Sequence, residues 1–283
     1  MDDFAILKGK LIKYNGSRDF DVTIPDDVIE ISNKAFRREG YMDSACFVRV
    51  HIPGSVKRIE NGTVSRYIHE NDSYYGCFSN SSVKSVTFEN GIEEIGDYAF
   101  YDCRSLESVN LPNSLLRIGC MAFHNSAITT ITIPATVRSM ESAFSWSKLN
   151  KAIIADGATQ VLPHAFSGCK ELQQITLPPS ITEICDGAFA ECRKLARIRI
   201  PKSVRKIGKD AFSGCISLVD INNELVDLFA QADVSATAFQ RTPIGDDYVD
   251  MVVKKRICPK CGKKLSLFHR CKACGIKPFY RFE

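Results

Sequence analysis

A small residue followed by phenylalanine recurs at near-regular spacing along this chain of 283 residues. The pairs are Ala35-Phe36, Cys77-Phe78, Ala99-Phe100, Ala122-Phe123, Ala143-Phe144, Ala165-Phe166, Ala188-Phe189, Ala211-Phe212 and Ala238-Phe239. Successive phenylalanines stand 42, 22, 23, 21, 22, 23, 23 and 27 residues apart. A second apolar column lies twelve residues earlier at Ile24, Phe88, Leu111, Ile154, Leu177 and Ile200, eleven earlier at Ile133 and twenty-six earlier at Ile52. Proline follows it at Pro25, Pro53, Pro112, Pro134, Pro178 and Pro201, so six of the 11 prolines fall in one column. A period of this length means one supersecondary unit per repeat. Such a unit cannot bury its apolar face alone and is stable only when stacked on its neighbours.

The stretch Leu195-Ala196-Arg197-Ile198-Arg199-Ile200-Pro201 shows the logic of a unit. Ile198 and Ile200 alternate with Arg197 and Arg199, the period of a strand with one face buried. Pro201 has no N–H and stops the ladder. Val204 and Ile207 turn inward three residues apart, and Ala211-Phe212 follows in a compact return segment, expected to be helical. Nine rungs at about 4.8 Å would span roughly 40 Å. Outward strand positions run from Asp21, Thr23, Arg49 and His51 to Gln174, Thr176, Arg197 and Arg199, polar early and basic late.

Strings such as Leu172-Gln173-Gln174-Ile175-Thr176-Leu177-Pro178, then Ile184, then Gly187-Ala188-Phe189-Ala190-Glu191-Cys192, resemble the BspA-like leucine-rich repeat family over roughly residues 15–243. The resemblance implies an α/β repeat, a curved right-handed leucine-rich-repeat solenoid with a parallel sheet on one face. It implies recognition or adhesion rather than catalysis. Surface-exposed and secreted members make surface adhesion the family-based alternative.

Four of the 12 cysteines stand three residues after the repeat phenylalanine. That column reads Ser81, Cys103, Ser126, Ser147, Cys169, Cys192, Cys215 and Thr242. A column that accepts Ser and Thr is no disulfide framework, so these are expected to be buried thiols meeting backbone groups at a tight turn. Cys46, Cys77, Cys120 and Cys185 carry no assigned chemistry.

Four more cysteines form a different pattern. Cys258-Pro259-Lys260-Cys261-Gly262 and Cys271-Lys272-Ala273-Cys274-Gly275 give two C-x2-C pairs nine residues apart. Four thiolates close a tetrahedral site, and a segment this short needs the metal for its folding. The expectation is one structural Zn²⁺ on Cys258, Cys261, Cys271 and Cys274. The domains are then a repeat solenoid with caps over 1–243, a linker over 244–257 and a zinc ribbon over 258–283. Residues 251–283 carry ten basic side chains and one acid, leaving +9 on the tail and −5 on the rest. Basic residues interleaved with Phe268, His269, Phe279, Tyr280 and Phe282 suit either a protein-docking module or a nucleic-acid contact.

Irregular rungs mark candidate binding surfaces, since insertions on a rigid repeat frame commonly carry recognition. The largest insertion lies between Ile59 and Phe78 and holds Tyr67, His69, Tyr74 and Tyr75. A second candidate is the stretch from Arg193 to Lys209, eight basic residues without an acid, with Arg197 and Arg199 on the strand. It reads as an anion-binding patch or as a solvated face offset by acids on neighbouring rungs. No phosphate loop, nucleophile elbow or HExxH is present, and the five histidines are scattered. No apolar run reaches the length of a membrane span, and the first residues do not read as a secretory signal. The expectation is a cytoplasmic, non-enzymatic scaffold with a protein partner, with a nucleic-acid-associated protein as the alternative.

Overall fold

The computed structural model describes residues 3–16, 21–36, 48–65, 73–221, 228, 232–235, 237–249, 258 and 263. It divides into two compact units, 1–155 and 156–283.

Unit 1 opens with an antiparallel hairpin, β1 (Phe4–Leu7) and β2 (Lys10–Tyr14). Each rung that follows contributes a strand to one sheet and a shorter strand to another. The first sheet contains β3 (Asp21–Thr23), and the second contains β4 (Glu30–Ile31). They continue as β5 (Arg49–Ile52) and β6 (Arg58–Ile59). An inserted hairpin, β7 (Thr63–Ser65) and β8 (Ser73–Tyr75), interrupts the series. The rungs resume with β9 (Ser85–Phe88), β10 (Glu94–Ile95), β11 (Ser108–Val109), β12 (Arg117–Ile118), β13 (Thr130–Ile133), β14 (Ser139–Met140) and β15 (Lys151–Ile154). The first sheet runs β11-β9-β5-β3, with β13 and β15 pairing in parallel further on. The second runs β1-β2-β4-β6-β10-β12-β14.

The expected single parallel face is thus two parallel sheets, because the chain bends at the proline column and a second strand forms beyond it. The return segment also departs from expectation. It is a run of turns rather than a helix, and its N–H groups bond to the adjacent rung. Phe78, Phe100 and Phe123 each donate to the carbonyl of the next rung's alanine, Ala99, Ala122 and Ala143, over 2.8 Å. A left-handed residue near the middle of each turn, such as Asp102 (φ 58°) or Asn125 (φ 55°), ends the α-helical path.

The core of unit 1 lies between the two sheets and the turns. Phe78, Phe100, Phe123 and Phe144 are fully buried and stack nearly parallel, with centroids 4.9, 5.2 and 5.1 Å apart. Phe36 sits 4.4 Å from Phe78, and Tyr14 and Phe4 of the opening hairpin complete the stack. The hairpin therefore caps the open end of the core.

Unit 2 repeats the plan with β16 (Gln160–Val161), β17 (Gln174–Thr176), β18 (Glu183–Ile184), β19 (Lys206–Ile207) and β20 (Asp233–Val234). Its short strands pair in parallel as β16-β18-β19-β20. Phe166, Phe189, Phe212 and Phe239 stack at 5.6, 5.3 and 5.0 Å. A short helix, α1 (Pro243–Val249), follows the last rung. Thr242 explains it, since its hydroxyl accepts the Gly245 N–H at 2.9 Å and Pro243 presets the first turn.

Candidate functional site

The inserted hairpin is built onto the rungs. Thr63, Val64 and Ser65 pair with Tyr75, Tyr74 and Ser73. At its base the Gly62 N–H donates to the Asp97 carbonyl at 2.7 Å, and the Gly76 N–H to the Ser79 hydroxyl at 2.9 Å. A side chain at Gly76 would collide with the Tyr98 carbonyl, so glycine is required by this approach. Tyr74 then sits 4.9 Å from both Tyr98 and Tyr101. Tyr101 lies flat on His124 of the next rung, 4.9 Å away and 4° from parallel. Burial pushes the Tyr98 and Tyr101 phenols up and the His124 imidazole down, so all three rings are neutral at pH 7.

The structure thus brings one sequence candidate, Tyr74, into a cluster with three residues that sequence reasoning missed. The missed signal was columnar, as Tyr101 and His124 both directly follow a repeat phenylalanine. Tyr75 is half-buried on the same hairpin. Tyr67 and His69 lie outside the described residues.

The outer face of the first sheet is polar and internally paired. Arg49 grips both carboxylate oxygens of Asp21 at 2.6 and 2.8 Å, and His51 Nε2 meets Glu89 at 3.1 Å. Asn110 uses both ends of its amide on the Phe88 backbone, at 2.9 and 2.8 Å. A polar hollow of 410 Å³ opens between Glu89, Asn110 and Asn113. On the second sheet, register aligns Lys10, Glu30, Arg58, Glu94 and Arg117 in one column of alternating charge. Ion pairs of 3.2, 3.0 and 2.8 Å join Lys10 to Glu30, Arg58 to Glu30 and Arg117 to Glu94.

In unit 2 the basic stretch is half neutralised by neighbouring rungs. Arg193 pairs with Glu191 at 2.9 Å, Lys194 with Glu171 at 2.5 Å, Lys206 with Glu183 at 2.6 Å and Arg197 with Asp220 at 4.0 Å. Arg199 is exposed and carries no ion pair among the described residues. No cysteine among those described is in a disulfide. Of the four expected zinc ligands only Cys258 is described. It is fully buried, and its N–H donates to the Lys263 carbonyl at 2.8 Å. Cys261, Cys271 and Cys274 lie outside the described residues. Among those described, no helix is long and apolar enough to cross a membrane.

The sequence matches the family model for the BspA type leucine-rich repeat region, in six copies, over residues 72–142 and 139–244. No curated protein matches. Among solved structures, a leucine-rich cell surface protein of Faecalibacterium prausnitzii is 28% identical with a TM-score of 0.47. The match covers 75% of this chain but 49% of that one, so this chain spans about half its length. A leucine-rich repeat protein of T. pallidum is 23% identical with a TM-score of 0.50, over 66% of this chain and 82% of that one. It shares the fold. A leucine-rich repeat protein of Bacteroides ovatus is 22% identical, covering 82% and 87% of the two chains at a TM-score of 0.38.

Proposed function

The chain belongs to the BspA-type leucine-rich repeat family, and from that premise we propose that it is a non-enzymatic protein-interaction scaffold whose inserted hairpin is a principal contact element. The observation that carries this reading is the docking of Tyr74 on Tyr98 and Tyr101. An insertion tolerated by default has no need of an aromatic anchor or of a glycine fitted against the next rung. Neutral, half-exposed tyrosines offer contact area with a polar edge, which suits a protein surface. The described cysteines, reduced and mostly buried, favour a cytoplasmic, reducing setting; surface adhesion is the family's other role. The test is capture from native lysate by three forms of the chain: intact, with residues 66–72 replaced by a two-residue turn, and truncated after residue 250. A partner retained by the truncated form and lost with the hairpin tip supports the proposal. Retention regardless of the hairpin refutes it.

We further propose that Cys258, Cys261, Cys271 and Cys274 hold one structural Zn²⁺ and that the tail serves as a docking module. Two C-x2-C pairs supply the four soft donors a closed tetrahedral site needs. The buried Cys258 and its bond to Lys263 fit a tight turn over the first pair. Bound there, zinc would supply folding free energy rather than reactivity. The nucleic-acid alternative draws on the composition of the tail, and a gel shift at low salt with mixed DNA and RNA tests it.

A further inference from the structure

From Phe78 onward, the position directly after the repeat phenylalanine reads Ser79, Tyr101, His124, Ser145, Ser167, Ala190, Ser213 and Gln240. Six of these eight are Ser, Ala or Gln, so the turn itself asks for no ring there. The two that carry rings stand on consecutive rungs. The first, Tyr101, is half of the seat on which Tyr74 of the inserted hairpin rests, 4.9 Å away. The second, His124, lies flat against Tyr101 at the same distance and 4° from parallel. Contact therefore runs in one line from the hairpin through Tyr101 to an imidazole.

Nδ1 of that imidazole is buried and has no hydrogen-bond partner among the described residues. A neutral ring tolerates this, because it can leave one nitrogen bare. An imidazolium carries N–H on both nitrogens, and a charged donor buried without an acceptor is far more costly. The Tyr101 face attracts a cation, but it lies over the ring plane and offers no acceptor at the ring edge. Titratable and charged groups on the rungs packed against His124 are Tyr98, Tyr101, Asp102 and Arg104 before it, Cys120 on its own rung and Glu141 after it. The two phenols and the Cys120 thiol are pushed up by burial and are neutral. Asp102 Oδ1 is already taken by Arg104 Nε at 2.9 Å and by the Asn125 amide. Asp102 favours the charged ring, but burial outweighs it and holds the imidazole below its ordinary value.

We propose that His124 is an acid-sensitive latch for the hairpin: to take a proton it must hydrate Nδ1, which moves the Tyr101 ring and undoes the seat of Tyr74. This deepens the reading of the hairpin as a contact element, and rests on it, by adding that acid regulates the contact. Above about pH 6.5, where a free imidazole titrates, the docked and undocked forms are both neutral and docking is at full strength. Below it the undocked ring binds a proton that the stacked ring resists. Docking therefore weakens as the pH falls towards the lowered value of the stacked ring.

The test uses the full chain without a partner, so it does not depend on what the hairpin binds. Proton NMR follows the His124 ring from about pH 8 to about pH 5, the range in which histidine changes charge. Amide exchange, corrected for its intrinsic pH dependence, follows Thr63–Ser65 and Ser73–Tyr75 over the same range. Hairpin protection should fall along the His124 titration curve while residues 94–118 keep theirs. His124→Phe keeps a flat ring and removes the proton site, so its hairpin protection should be the same at both ends of the range. Should that variant lack a native melting transition, His124→Tyr, the residue the preceding rung already uses, serves instead. Equal loosening in the variant and the native chain overturns the proposal. So does titration of His124 with hairpin protection unchanged, or no loosening anywhere in the range. Partner capture that ignores the hairpin tip would refute the contact reading without altering these exchange results, so the two failures are told apart.

Discussion

Cys103 donates its thiol proton to the Phe78 carbonyl, one rung back, over 3.0 Å. The same bond recurs from Cys192 to Phe166 at 3.2 Å and from Cys215 to Phe189 at 3.1 Å. At these three turns the thiol gives a buried carbonyl a second donor beside a backbone N–H, whereas the hydroxyl of Ser126 in the same column is buried without a hydrogen-bond partner among the described residues.

The buried thiols make stability fall at high pH. Burial pushes Cys103 and Cys215 up to about 12. In the unfolded chain a thiol ionises near pH 8.5. Below that pH both states are protonated and the contribution is complete. Above it the unfolded chain loses protons that the native chain keeps, so the contribution shrinks and is gone by the folded value of about 12. Each thiol should cost up to about 1.4 kcal/mol per pH unit in that window. Urea midpoints at about pH 8 and pH 10 should separate more for the native chain than for Cys103→Ser/Cys215→Ser. Equal separations would contradict this account.

The phenylalanine stack should behave as a core rather than a decoration. Phe123 is fully buried between Phe100 and Phe144. Phe123→Ala should cost about 3–5 kcal/mol. Chemical denaturation of the two proteins would measure it, and a loss below about 1 kcal/mol would be inconsistent with a closely packed rung.

Much of this was legible in the sequence. The Phe and Pro columns identified the rungs, and the Ser/Thr substitutions identified the packing thiols. The second sheet was harder to read because its strands, such as Glu94–Ile95, are two residues long, too short for any periodicity to register. The turns read as helix because Ala-Phe suits a helix locally. What overrides that preference is the tertiary bond from Phe100 N–H to the Ala122 carbonyl, which no local pattern announces. At the candidate site, Tyr74 was legible as part of an insertion, whereas Tyr98 and His124 became visible only once the rungs were stacked.

Hairpin docking should be separable from global folding. Tyr74→Ala removes the anchor on Tyr98 and Tyr101, and Gly76→Ala forces Cβ into the Tyr98 carbonyl. Both should raise amide exchange across Thr63–Ser65 and Ser73–Tyr75 while the rung amides of residues 94–118 keep their protection. The local cost expected from losing an aromatic contact pair is about 1–2 kcal/mol. Unchanged exchange in the hairpin would mean that the ring contacts contribute nothing to its docking.

The left-handed tryptophan makes an opposite prediction for stability. At φ 60° and 55% exposure, Trp146 holds strain that glycine would release; the second position after the repeat phenylalanine in unit 2 is Gly168 and Gly214 on two turns and Glu191 and Arg241, both at φ 59°, on the others. Trp146→Gly should therefore raise stability by about 0.5–1 kcal/mol, net of glycine's greater unfolded-state entropy. Denaturant midpoints decide it. A loss of more than about 1 kcal/mol would show that the indole is there for packing.

The tail should lose its fold with its metal. About 26 residues cannot bury enough apolar surface to stand alone, and no other stabilising device is written into residues 258–283 than the two C-x2-C pairs. Purified chain should contain about one zinc per molecule by elemental analysis. Replacement by Co²⁺ should give the intense visible absorption of a tetrahedral four-thiolate site, and Cys271→Ser should weaken both signals. Ligand thiolates compete with protons, so acid should release the metal, whereas Cys103 and Cys215 are buried in the rungs with their thiols pushed up to about 12. Chelation should therefore expose four fast-reacting thiols to an alkylating reagent and leave the rung cysteines protected. A native tail with no bound metal, or equal reactivity of all cysteines after chelation, would contradict the assignment.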